Sequence, residues 1–239
     1  MQGELRKAVT MCYQVLELAK GTIGINNPLL GKTFFNLGEM LREQGDLNQA
    51  LHYLEKAVEL METYSEFGLP LANLAIARVK LNLKEWDLVQ IYIDLARTQA
   101  QKGPSPQITE KIVDVMQARL WVEIGNFSNV FQWIQNKELM DKPISERINA
   151  LEKLGGLNEF FITENQILIR YTLAQKKPGD AIELIDPILN YTQTKGNKRR
   201  LIELLVLKAI ALNQLNEDNL ALKALQSSFS MAEQEGFQR

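Results

Sequence analysis

The chain alternates short polar turns with long amphipathic runs, and one local pattern recurs at nearly regular intervals. A turn is followed by an apolar residue and then, three positions later, by a small or β-branched residue that opens a run with helical spacing. We call these residues the anchors. Successive anchors are close to forty residues apart, except that 51 residues separate the fourth from the fifth. The anchors are Ala8, Ala50, Val89, Val130, Ala181 and Ala221, and the turns before them begin at Gly3, Gly45, Lys84, Gly125, Lys176 and Asn216.

The residues around each anchor predict a pair of packed helices. Four positions after every anchor the residue is apolar, which places it on the same helical face. Twelve positions before each of the last five anchors the residue is small in four cases, where a preceding helix has to approach its partner closely. Each unit therefore reads as helix A, a turn and helix B. The residues after the anchors are Cys12, Leu54, Ile93, Ile134, Ile185 and Leu225, and those before them are Gly38, Ala77, Ala118, Ile169 and Ala209.

This periodicity predicts an all-α fold of antiparallel helix pairs, similar to tetratricopeptide (TPR) repeats, stacked into a right-handed superhelical solenoid. No alternating apolar and polar stretch competes with it. Four prolines fall between the predicted units, and a fifth, Pro187, predicts a kink in the fifth helix B. The four are Pro28, Pro70, Pro104 and Pro106.

We expect a single helical-repeat domain over residues 1–239, cut from a longer protein. The first anchor lies so near the start that its helix A is missing, and no polar capping helix follows the last helix B. The predicted divisions are a half unit, 1–27, and the units 28–68, 69–103, 104–156 with an insertion, 157–195 and 196–239.

Composition narrows the classes of function. Of the 239 residues 46% are hydrophobic and 23% are charged, which is typical of a folded globular chain, and the net charge of −2 gives no field that attracts nucleic acid. No run of eighteen apolar residues predicts a membrane span, so we expect a cytoplasmic protein without membrane or direct nucleic-acid contact. The single Cys12 excludes an internal disulfide, and the single His52 excludes metal sites that need two imidazoles.

Four segments carry a resemblance to a known family: GELRKAVTMCYQVLELA at the start, ALHYLEKAVELMETYSEFG, LIRYTLAQKKPGDAIELIDPIL, and the stretch from Leu201 to Arg239 that ends in AEQEGFQR. In this order, with the forty-residue unit, they resemble the helical-repeat region of MalT-type members of the LuxR family of ATP-dependent transcription activators. The chain departs from that pattern at Asn216, where a glycine is usual, and in an insertion from Lys137 to Gly156.

The resemblance implies a sensor segment that receives a small-molecule inducer or a regulatory protein. In such regulators a nucleotide-binding module precedes the repeats and a helix-turn-helix follows them. We therefore expect no cofactor in this segment, ATP only in the upstream module, DNA contact elsewhere and possible self-association of the full-length protein.

Few residues suggest chemistry. Gly31-Lys32-Thr33 looks like the end of a phosphate-binding loop, but Asn26 stands where that loop needs its first glycine, so we interpret the segment as a helix start. A catalytic triad with His52 would need an activated serine, and the sequence contains no nucleophile-elbow motif that would supply one. Cys12 takes an apolar position of its repeat. We predict that the chain is not an enzyme.

The sharpest candidate site is a ladder of arginines: Arg78, Arg119 and Arg170 each stand eleven positions before an anchor. Equivalent positions of stacked pairs form a column, so these guanidinium groups are expected to line the concave face and to suit an anionic ligand. Glu39 takes the same position in the second unit. The alternative is that the arginines pair with local carboxylates such as Glu123 or Asp114, or lay their stems over neighbouring helices.

Two aromatic residues near the ladder are further candidates. Trp121 and Phe35 could clamp a sugar or a peptide, although such side chains more often belong to the core. Two functional hypotheses follow. The first is an effector- or partner-binding sensor domain of a bacterial MalT-type regulator, and the second is a free-standing TPR adaptor that binds a peptide segment of a partner.

Overall fold

The computed structural model describes residues 4–62, 68–103, 106–153 and 159–236. These residues form twelve α-helices and one 3-10 helix, without a strand among them, which confirms the predicted all-α fold. The predicted positions Gly3 and Pro104, and the chain end from Phe237 to Arg239, lie outside the described residues. The helices are α1 (Glu4–Gly21), α2 (Gly31–Glu43), α3 (Leu47–Glu62), α4 (Gly68–Asn82), α5 (Trp86–Ala100), α6 (Pro106–Glu123), α7 (Phe127–Asn136), α8 (Ile144–Lys153), α9 (Glu159–Ala174), α10 (Pro178–Thr194), α11 (Lys198–Gln214) and α12 (Asp218–Glu235), and the 3-10 helix is Pro28–Leu30.

The helices follow the predicted order of A and B. Helix α1 corresponds to a helix B that stands alone. The five pairs of helix A and helix B are α2 with α3, α4 with α5, α6 with α7, α9 with α10 and α11 with α12. The extra helix α8 lies inside the insertion. The chain divides into two compact units, residues 1–120 with 233–239, and residues 121–232, which we call unit 1 and unit 2. The superhelix and its handedness stay predictions.

The anchors and the small residues before them lie in the core. Ala50, Val89, Val130 and Ala181 have no exposed surface, and Ala221 is also buried, whereas Ala8 of the lone helix B is only half-buried. At Gly38 a β-carbon would stand 2.6 Å from Cγ of Leu54 and 3.0 Å from the carbonyl oxygen of Ala50. The small residue of helix A therefore meets the anchor of its own helix B, as the spacing predicts.

The turn between helix A and helix B has one backbone requirement in all five pairs. The first residue of each turn adopts a left-handed conformation, with φ between 56° and 83°. Glycine adopts that conformation without a steric cost, but three of the five turns use another residue. The five residues are Gly45, Lys84, Gly125, Lys176 and Asn216.

Each unit has its own apolar core. In unit 1, Leu37, Leu54 and Ile76 pack in one cluster and Leu74 packs with Ile93 in another. In unit 2, residues of α9, α10 and α11 form the main cluster, including Ile162, Ile169, Ile185 and Leu204. No helix in the described ranges combines the length and apolar character that crossing a membrane requires.

Candidate functional site

The first step of the predicted ladder is an ion pair between repeats. Arg78 of α4 donates from Nη2 to Oε2 of Glu39 in α2 at 3.0 Å and from Nε to Oε1 at 3.4 Å. Burial by itself would raise the pKa of Glu39, but the guanidinium groups of Arg78 and Arg42 outweigh it and lower the pKa to about 2. Glu39 and Arg78 thus act on one another across two stacked helices A.

A second arginine completes this charge cluster. Arg42 is 2% exposed and bonds from Nε to Oε1 of Glu39 at 3.1 Å, and it also forms an ion pair with Glu43. Burial lowers the pKa of Arg42, but the two carboxylates outweigh that and raise it above its usual value. Two arginines and two glutamates therefore balance in the interior of unit 1, which suits a structural role of Glu39 and Arg78.

The other ladder residues are spread over both units. Arg119 lies half-buried in unit 1, and Asp114, one of the carboxylates proposed as its partner, is 3.9 Å from Arg97. Arg170 lies half-buried in unit 2, and its side chain forms no hydrogen bond or ion pair with another described residue. The contact that the structure shows within the predicted set is the one between Glu39 and Arg78.

The two aromatic candidates differ in their surroundings. Phe35 packs against the main apolar cluster of unit 1, so it contributes to the core. Trp121 is half-buried at the start of unit 2. The role of Phe35 and Trp121 in ligand binding stays a prediction.

A cavity of about 690 Å³ lies entirely within unit 2. Its lining comes from α7, the segment that joins α7 to α8, the start of α8, and α9 and α10 with the turn between them. None of the candidate site residues predicted from the sequence lines it. We call this space the insertion cavity, and its lining is Phe131, residues 139–145, Leu168, Tyr171, Thr172, Gln175, Lys177, Asp180, Glu183, Leu184 and Pro187.

The floor of the insertion cavity is apolar. Leu139, Ile144 and Leu168 are at least nine-tenths buried. Phe131 of α7 and Tyr171 of α9 stack with ring centroids 6.2 Å apart and ring planes inclined by 24°. Phe131 keeps 40% of its surface exposed, so an apolar or planar group can rest against this aromatic wall.

The rim carries five exposed ionic side chains of both signs. Each stands more than 4 Å from the opposite charge of any described residue, and none forms a hydrogen bond with a described residue through its side chain. The side-chain amide of Gln175 likewise bonds to no described residue. The rim charges are Asp141, Lys142, Lys177, Asp180 and Glu183.

One backbone acceptor is added by the proline in α10. An α-helix pairs each N–H with the carbonyl four residues earlier, and Pro187 has no N–H, so the carbonyl of Glu183 has no donor at that position. Both residues line the insertion cavity. The helix continues through Pro187 to Thr194, and the kink stays a prediction.

Arg147 fixes the cavity wall to α9. Its Nη1 donates to the carbonyl oxygen of Leu139 at 2.7 Å and to Oδ1 of Asn165 at 3.0 Å, and its guanidinium lies 5.2 Å from the ring centroid of Phe161. Asn165 is fully buried and itself donates to the carbonyl of Phe161 at 2.7 Å. Burial lowers the pKa of Arg147 against the opposing effect of Glu164. One side chain of the insertion thus ties its own loop to the repeat.

The signal for this site in the sequence is the insertion itself. The sequence shows where the forty-residue period breaks, but it does not show that the added segment leaves a space beside α9 and α10.

The family model described as the MalT-like TPR region matches residues 1–239, the whole chain. A search of curated proteins finds no significant match.

Proposed function

The chain belongs to the family of MalT-like TPR regions, and from this premise we propose that it is the effector-sensing repeat domain of a MalT-type, LuxR-family transcriptional regulator. The insertion cavity is the site that receives the effector. The observation that carries this proposal is the cavity of about 690 Å³, which has a buried apolar floor and a rim of charges without ion-pair partners among the described residues. Sites for small ligands combine these features.

The proposed role is binding without catalysis. A TPR-type repeat is generally a non-catalytic scaffold, and an apolar cavity with a polar rim suits the binding of a ligand. ATP binding and DNA binding belong, in this proposal, to other modules of the regulator, which works in the cytoplasm. The effector contributes by stabilising one state of the repeat domain that those modules sense.

The arginine ladder remains a proposal for a second contact surface. Arg170 is the strongest member, because its guanidinium makes no ion pair with the described residues. Arg78 would have to exchange Glu39 for a ligand, which costs a partly buried ion pair. An acidic group of a regulatory protein would suit Arg170 of unit 2, whereas a small effector suits the insertion cavity.

The test is thermal unfolding of the 239-residue chain against a panel of sugars, nucleotides, phosphorylated metabolites and short peptides. A compound that binds the folded state raises Tm as its concentration exceeds Kd. Ser145 is an exposed cavity residue in the first turn of α8, so Ser145→Trp places a large side chain in the cavity mouth without disturbing a core contact. We expect this variant to abolish the shift.

Asn149→Trp provides the matched control, because Asn149 is exposed on the same helix and does not line the cavity. It should keep the full shift. A compound whose shift survives Ser145→Trp but disappears in Arg170→Ala would move the effector site to the ladder and contradict the proposal.

A further inference from the structure

The size of the insertion cavity sets the size of its ligand. Sites that enclose organic ligands of moderate size have volumes of about 300–1,000 Å³, and this cavity has about 690 Å³. A single metabolite of a few atoms leaves most of that space to water. The apolar floor of Leu139, Ile144 and Leu168 suits apolar side groups along the ligand.

The rim suits a ligand that carries both signs of charge. Lys177 is the N-cap of α10, so its ammonium and the positive end of that helix favour a carboxylate at this point of the rim. Asp180 lies in the first turn and matches the positive end of the helix, whereas Glu183, one turn further on the same wall, favours an ammonium group. A ligand with both charges can pair with both sides of the rim, whereas a ligand with one charge pairs with only one side.

Between the rim and the floor the cavity offers hydrogen-bonding groups of both kinds. The side-chain amide of Gln175 can donate and accept, and it bonds to no described residue. A peptide backbone presents N–H and C=O groups that can pair with both parts of such an amide.

We infer that the insertion cavity binds a short apolar peptide of about three to five residues through its free amino and carboxyl termini, with the apolar side chains on the floor. The inference rests on the proposed function, because it names the effector class of the same cavity. The carboxyl terminus lies at Lys177, the amino terminus at Glu183, and the backbone at Gln175. The aromatic wall of Phe131 and Tyr171 receives one of the side chains.

The experiment is equilibrium dialysis of the 239-residue chain against two peptide mixtures, with mass spectrometry of what is retained. The first mixture contains all free tetrapeptides of alanine, valine, leucine and phenylalanine. The second contains the same peptides with acetylated amino and amidated carboxyl termini. We expect retention from the free mixture and at least about tenfold weaker retention of the capped peptides, because capping removes both charges.

Two single substitutions test the positive and the negative groups of the rim separately. Lys177→Gln and Glu183→Gln should each weaken retention of the free peptides by about tenfold, and the capped peptides should not respond to either. Lys176→Gln and Glu217→Gln are matched controls, since both residues are exposed in unit 2 and neither lines the cavity. They should change retention by less than about twofold.

Two results would overturn the inference. Equal retention of free and capped mixtures would remove the role of the termini, and retention of neither mixture would remove the peptide class. If neither is retained while a sugar or nucleotide still gives a Tm shift that Ser145→Trp abolishes, the cavity remains the effector site and only the peptide inference fails. If the free peptides are retained equally by Ser145→Trp, the cavity assignment fails as well.

Discussion

Glu39 and Arg78 occupy the same position in consecutive helix pairs and join them by two hydrogen bonds, with Nη2 to Oε2 at 3.0 Å and Nε to Oε1 at 3.4 Å. The Glu39 side chain is 21% exposed and also holds the buried Arg42. Removing this one carboxylate would leave two guanidinium groups with fewer partners in the interior of unit 1, so its ionisation and the folding of unit 1 are linked.

The first prediction concerns pH. Because the guanidinium groups lower the pKa of Glu39 to about 2 in the folded chain, its contribution to folding is complete above about pH 5 and is lost as the pH falls toward 2. The contribution at neutral pH is on the order of 3 kcal/mol as an upper value. Urea unfolding at pH 7 and pH 3 should show a smaller difference in Glu39→Gln than in the unsubstituted chain.

Exposed Glu55 on α3 offers the comparison for this experiment. Glu55→Gln removes the same charge from unit 1 but leaves the ion pairs of Glu39 with Arg42 and Arg78 in place, and it should keep the full pH dependence. An unchanged pH dependence in Glu39→Gln would contradict the proposed contribution of its ion pairs with Arg42 and Arg78 to folding.

A second prediction concerns the contact between helix A and helix B. Gly38→Ala would place a β-carbon 2.6 Å from Cγ of Leu54 and 3.0 Å from the carbonyl of Ala50, and the backbone carbonyl cannot move away cheaply. We expect a loss of about 2–3 kcal/mol in the free energy of unfolding, although alanine is the better helix former. Denaturant titration measures it.

Gly179 in the first turn of α10 is the matched position, since a β-carbon there meets no atom within 4 Å. Gly179→Ala should therefore leave stability unchanged or raise it by up to about 1 kcal/mol. Equal effects of the two substitutions would contradict the close approach at Gly38.

These contacts show why the sequence predicts the repeat so well. A spacing of twelve positions between a small residue and an anchor describes the local geometry of one turn and two helices, and Gly38 and Ala50 meet as that spacing requires. The left-handed residue at each turn, such as Lys84, also stands at a fixed distance from its anchor. Because every helix pair repeats this geometry, the residues that it requires recur in the sequence at a regular spacing.

The contacts of the candidate site do not recur at a regular spacing in the sequence. Spacing identifies the ladder position of Glu39, but it does not show the contact of Glu39 with Arg78, because that contact depends on how two helices A stack. The insertion cavity depends on a bond from Arg147 to the carbonyl of Leu139 and on the stacking of Phe131 with Tyr171, which are forty residues apart. Side-chain directions across separate helices cannot be read from spacing.

A third prediction uses the turn residues that are not glycine. Lys84 has a φ of 60° and is exposed, so Lys84→Gly removes a left-handed strain without removing a contact of the core. We expect stability to rise by about 0.5–1 kcal/mol after the higher chain entropy of glycine is allowed for. Lys111, exposed within α6, is the control, because Lys111→Gly should cost about 1 kcal/mol. A loss at both positions would contradict the requirement at the turn.

The last prediction concerns the wall of the insertion cavity. Arg147→Met keeps the apolar stem beside Phe161 but removes the bonds to the carbonyl of Leu139 at 2.7 Å and to the buried Asn165 at 3.0 Å. We expect a loss of about 2 kcal/mol and faster amide hydrogen exchange in residues 137–145, because the segment loses its tie to α9. The exchange of α11 should not change, since neither of these bonds ends on that helix.

The conservative variant and a neighbouring residue separate this local effect from a general one. Arg147→Lys retains a charged donor and should give an intermediate exchange rate in residues 137–145. Asn149→Ala, at an exposed position on the same helix, should match the unsubstituted chain. Uniform acceleration throughout residues 121–232 in Arg147→Met would instead show that Arg147 supports the whole of unit 2, and the cavity wall would then have no separate support.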